Sequence, residues 1–160
     1  MKIGFVCAVV VASVVSLSAA AGLSAQQGNT ITVRILDGKT GTNADASNVL
    51  VQFDHRKETS SDWQHQNDDG SIEVRVPADA KVIAVHATYD NAMEYYINCD
   101  VAKQKNSSAE SWYPIADILK SGIIISNDCV KQKDADQIRI DPQKGVLVVY
   151  VRKRNWREND

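Results

Sequence analysis

The side chains best suited to chemistry are three histidines, His55, His65 and His86. His55 ends an alternating apolar run. His65 lies in a polar stretch beside Trp63, and His86 shares a strand face with Val82, Ala84 and Thr88. A zinc centre takes three or four convergent ligands of defined geometry. His55, His65 and Asp54 or Asp62 meet only if the intervening loop folds back. The simpler reading is a strand-end histidine, a surface histidine and a strand histidine with a hydrogen-bond partner. No metal site is expected.

The acids and nucleophiles lead to the same place. "NDDG" (67–70) lacks the alternating spacing and distal glutamate of a calcium loop. It reads as a hairpin turn, because Asn, Asp and Gly tolerate positive φ. Asp90 and Glu94 are a carboxylate pair, but nothing in their spacing holds them across a cleft as acid–base chemistry requires. No serine sits in a G-x-S-x-G elbow, and the eight glycines are scattered at turns, not gathered into a phosphate loop. The expectation is no catalytic residue, no cofactor and no enzyme activity.

Aromatic and cationic side chains remain. Trp63, Tyr95, Tyr96, Trp112 and Tyr113 are candidates for a rim that stacks on a sugar or a peptide; the plainer alternative is rings half buried on a sheet. The C-terminal "VLVVYVRKRNWREND" sets Arg152, Lys153, Arg154 and Arg157 around Trp156. Arg154, Trp156 and Arg157 therefore join the possible binding surface, as a patch for an acidic partner. The competing reading is the solvated end of a buried strand, since long cationic stems cover apolar surface while their heads stay in water. A formal net charge of −2 provides no global field for nucleic acid.

The chain must also position these groups. "MKIGFVCAVVVASVVSLSAAAGLSAQQ" has the layout of a signal peptide: Lys2, an apolar centre, then small residues up to Ala25. Cleavage there takes Cys7 away and leaves about 135 residues, one domain's worth, at 26–160. No second long apolar run follows, so no transmembrane segment is expected after cleavage. Cys99 and Cys129 remain, an even number in an exported chain, and read as a disulfide. The alternative is a thiolate metal site, although two cysteines so far apart without a CxxC make a poor zinc pattern.

The rest alternates short β patterns with turn signals: "TITVRIL" (30–36), "NVLVQFDH" (48–55), "SIEVRVP" (71–77), "KVIAVHATY" (81–89), "EYYINC" (94–99), "DQIRID" (136–141) and "KGVLVVYVRK" (144–153). "SIEVRVP" is the cleanest, with Ile72, Val74 and Val76 inward and Glu73 and Arg75 outward. The runs at 81–89 and 144–153 are apolar on both faces, as for strands covered on both sides. Short strands at this spacing with no helical pattern between most of them predict a mostly-β antiparallel sandwich of about seven strands. Ile115, Ile118 and Leu119 have helical spacing behind Pro114 and ahead of Gly122. They predict one short helix at about 114–121, inside an insertion at 99–129 tied by the cystine.

The order of these pieces resembles the transthyretin-like, carboxypeptidase-regulatory-like domains. Asp37, Thr40 and Gly41 match their first turn. Asp68, Gly70, Ile72, Val74 and Pro77 match their hairpin, and Ala87 and Tyr89 match their third strand. The resemblance covers about 30–90 and implies a prealbumin-like sandwich. Domains of that kind commonly serve as non-catalytic adhesion, folding or docking modules. The Tyr-Arg-Gly-Ser ending of the related hydroxyisourate hydrolases is missing, and the two Tyr and two His of intradiol dioxygenases find no matching spacing. The resulting expectation is a secreted or periplasmic binding module that docks a protein at the cell envelope. A carbohydrate-binding module and a small metal-dependent hydrolase are the alternatives.

Overall fold

The computed structural model describes residues 29–57, 59, 62–90, 93–97, 99, 111–131, 134 and 138–154. The expected leader at 1–25, Trp156 and Arg157 lie outside the described residues. Among the described residues there are nine strands and one helix: β1 (Thr30–Asp37), β2 (Asn48–Phe53), β3 (Trp63–Gln64), β4 (Ser71–Arg75), β5 (Val82–Tyr89), β6 (Met93–Ile97), β7 (Tyr113–Pro114), α1 (Ile115–Ser121), β8 (Ile123–Ile124) and β9 (Val146–Lys153).

Period-two patterning builds the core. Ile31, Val33 and Ile35 of β1 are fully buried, while Thr32 and Arg34 between them are partly exposed. They join Val49, Val51 and Phe53 of β2, Ile72 and Val74 of β4, Ile83 and Val85 of β5, and Leu147, Val149 and Val151 of β9 in one apolar cluster. Burying each of these aliphatic side chains stabilises the fold by about 1.5–3 kcal/mol.

The strands follow the order β3-β2-β5-β6-β9-β1-β4, with β7 added beside β5 and β8 beside β9. The hinge of this arrangement is β6. Its first residues pair β5 (Thr88 with Glu94, Tyr89 with Met93), and its later ones pair β9 (Tyr95 with Lys153, Tyr96 with Arg152, Ile97 with Val151). One strand thus joins the two layers on one side, and β3 and β4 end the path on the other.

The architecture is the expected mostly-β sandwich with one short helix. Two features differ in detail. Three of the nine strands, β3, β7 and β8, are only two residues long. The sheet is also mixed: β9 runs parallel to β1, from Thr32 with Val146 to Asp37 with Val151, and parallel to β8. Parallel neighbours need a long crossover, and most of the chain lies between β1 and β9.

The two-sided apolar pattern of β9 has a direct cause. Val148 and Tyr150 point away from the main core and, with Leu36, form a second cluster packed by Ile124, Cys129, Ile140 and Val146. The segment after α1 therefore covers the outer face of β9. Residues 138–140, expected within a strand, form none; this stretch is fastened by the Tyr150 hydroxyl, which donates to the Ile138 carbonyl at 3.1 Å. Cys99 and Cys129 are joined across a separation of 30 residues, with Cα atoms 5.0 Å apart. Gly38 makes room for this bridge, because a Cβ there would sit 2.0 Å from the Cys129 sulfur. Pro114 precedes α1, whose Ile115 and Ile118 are buried, and Gly122 ends it at φ 81°, donating its N–H to the Ile118 carbonyl.

Replacing Cys99 and Cys129 together by serine should lower unfolding free energy by about 3–4 kcal/mol, from loop entropy alone. Denaturant unfolding of the oxidised protein and of the double variant measures this directly.

Candidate functional site

The cations at the end of β9 fold onto tyrosines. The Arg152 guanidinium lies 4.6 Å from the centre of the Tyr96 ring, and that of Arg154 lies 5.5 Å from it. The Lys153 ammonium sits 5.0 Å from the Tyr89 ring centre. Arg154 also reaches Glu94 at 3.8 Å. Register explains the clamp: β6 and β9 place Tyr96 opposite Arg152, so the cationic stems pack where the sheet ends. These cations close the sandwich end instead of standing out as a free basic patch.

The aromatic candidates do not form a common stacking platform. Tyr95 and Tyr96 are buried, at 3% and 2% exposure. Trp112 is half-buried against His55, with ring centres 3.9 Å apart and planes tilted by 41°. Tyr113 is half-buried on β7, opposite Ile83. Among the described residues Trp63 is the exposed large apolar side chain, at 37%, standing on β3 opposite Leu50. Of the histidines, His55 and His65 are exposed and His86 is half-buried. His65 Nδ1 lies 3.3 Å from the Ser47 carbonyl. No three His, Cys, Asp or Glu side chains come together as a metal-ligand set among the described residues.

Tyr95 has a structural task. Its hydroxyl donates to the Asp45 carbonyl at 2.8 Å, fastening the β1–β2 connection to β6. Burial, with the nearby Asp45 and Asp37 carboxylates, pushes its phenol up from 10.0 to about 12.

What the sandwich leaves open lies on the far side, at β4. The Val76 N–H donates to the Asn29 carbonyl, which fixes the phase of the ladder with β1. Ile72, Val74 and Val76 turn their backbone groups toward β1, and Ser71, Glu73 and Arg75 turn theirs outward. Ser71 is satisfied within its own turn, by the Asn67 N–H and the Asp69 carboxylate. Among the described residues Glu73 and Arg75 have no partner for their outward N–H and C=O groups, and β4 pairs β1 alone. Their side chains are exposed while Ile72 and Val74 are buried.

A polar groove of about 450 Å³ lies near the same end of the fold, between loops 43–47 and 65–70. Its walls are cross-braced. Asn43 donates to the Asp69 carbonyl, the Ala46 N–H donates to Gln66, and Gln66 donates to the Gly70 carbonyl. These bonds hold the hairpin that leads into β4, so its open edge begins from a fixed point. No family model matches this chain, and neither does any curated protein or solved structure compared with it.

Sequence reasoning placed Glu73 and Arg75 on the solvent side but not at an edge. Alternation reports which way a side chain points; which strand lacks a neighbour depends on pairings made elsewhere. The bracing roles of Asn43 and Gln66 had no sequence signal at all.

The Tyr95 phenol gives a pH prediction. The folded protein keeps a proton that the unfolded chain releases near pH 10. Stability from this group is therefore full below pH 10 and is lost as pH rises toward about 12. The melting temperature should fall across that window, and Tyr95→Phe should reduce the fall.

Proposed function

We propose that this protein is a non-catalytic docking module of the cell envelope, secreted or periplasmic, that binds a partner by adding the partner's strand to its β4 edge. The observation that carries the reading is the pair of unpartnered backbone positions at Glu73 and Arg75. An exposed edge is a ready template for another strand: main-chain bonds supply affinity and alternate side chains supply specificity.

Three further points support this. The signal-peptide layout of the first 25 residues and the cystine fit an exported chain. The turn and strand residues that resemble the transthyretin-like, carboxypeptidase-regulatory-like domains point to a group whose members often serve as adhesion or docking modules. No helix of the described residues is long and apolar enough to cross a membrane. The geometry gives less to a sugar, which needs exposed coplanar rings, because Tyr95 and Tyr96 are buried.

Arg75→Pro tests the reading. Proline is tolerated on an edge strand whose N–H faces solvent, and it removes that donor. The variant should melt within about 1 kcal/mol of the original, as a surface change does. It should also lose the partners that immobilised protein retains from envelope extract. Unchanged retention by a folded Arg75→Pro protein would contradict docking at this edge.

A further inference from the structure

We infer that the strand which pairs with the β4 edge is β4 of a second copy of this chain; the inference rests on the docking reading above. Two identical edges meet antiparallel about a two-fold axis, so the same patch must complement itself. With the axis through Val74, Glu73 of one copy stands opposite Arg75 of the other, and Arg75 opposite Glu73. Both residues turn their backbone groups outward, so this register makes them hydrogen-bonded pairs. It also sets opposite charges directly across the junction, the favourable arrangement for cross-strand neighbours.

The same register keeps the two faces consistent. Val74 meets Val74 and Ile72 meets Val76, all on the core side, where these residues are already buried. A shift by one residue would set core-facing side chains opposite solvent-facing ones. A shift by two residues moves the axis to Glu73 or to Arg75 and sets that residue against its own copy, like charge against like charge. A shift by four, with the axis through Ile72, would set Glu73 against Ser71, whose backbone groups are already used by Asn67 and Asp69. A parallel arrangement in register would place Glu73 beside Glu73. The charge order Glu-x-Arg therefore selects the antiparallel two-fold pairing. Pro77, which has no N–H to give, ends the pairing just beyond the strand.

The junction is short, so the dimer is expected to be reversible, with association falling between about 1 µM and 1 mM. Sedimentation velocity of the whole mature chain across that range reads it. Charge exchange gives the decisive comparison. Glu73→Arg alone sets like charges against each other in a self-pair, and so does Arg75→Glu alone. Each variant should remain monomeric where the original dimerises, with an affinity loss of about tenfold or more. Mixed in equal amounts, the two should associate with each other, because every cross-junction pair is then again of opposite sign. Circular dichroism of each variant confirms the fold; both positions are exposed, so it should be unchanged.

A monomeric original protein across the whole range would overturn self-pairing. So would variants that dimerise like the original, or that fail to associate when mixed. If the original is monomeric while Arg75→Pro still strips it of envelope partners, only the second copy is wrong as occupant and docking at the edge stands. If Arg75→Pro changes nothing either, both readings fall.

Discussion

The structure depends on how β6 divides its hydrogen bonds. The strand begins against β5 and finishes against β9, so it belongs to both layers. The layers are joined there, and the apolar faces of β1, β2, β4, β5 and β9 close on a shared core. The ends of the strand path are then β3 and β4. The tyrosines of β6 hold the joint: Tyr95 bonds the β1–β2 connection, and Tyr96 packs under Arg152 and Arg154. The basic C-terminal stretch is thus largely part of the joint as far as Arg154.

A second constraint comes from β9. With strands on both sides and apolar residues on both faces, it needs cover on its outer surface. Ile124, Cys129 and Ile140 provide that cover, with the cystine at Cys129 and the Tyr150 hydrogen bond to the Ile138 carbonyl holding it. The described residues after α1 therefore do structural service for a central strand, and α1 adds Ile115 and Ile118 to the main core. Both constraints leave the β4 side untouched, where the outward backbone groups of Glu73 and Arg75 are unpaired among the described residues.

Much of this was legible beforehand. The inward residues of β1, β2 and β4, the two-sided strands β5 and β9, the helix behind Pro114 and the cystine all follow from local pattern and composition. The parallel pairing of β9 with β1 was not legible, because residue alternation is the same in parallel and antiparallel strands. Residues 136–141 looked like a strand because Ile138 and Ile140 alternate; 136 and 137 lie outside the described residues, and 138–141 join no ladder while Ile140 packs against the outer face of β9. The rings weighed as a binding rim against half-buried rings on a sheet divide between exposed Trp63, half-buried Trp112 and Tyr113, and buried Tyr95 and Tyr96, because aromatic composition does not distinguish a surface from a joint. Tyr95 and Tyr96 are buried by the strand crossing that no local window contains.

Among the described residues, Glu73 and Arg75 carry free backbone groups at a sheet edge. Residue-resolved amide hydrogen exchange on the dilute protein tests it most directly. The account predicts slow exchange at Ile72 and Val74, whose N–H groups bond β1, and near-unprotected exchange at Glu73 and Arg75 between them. Uniform protection across all four amides in dilute solution would contradict it.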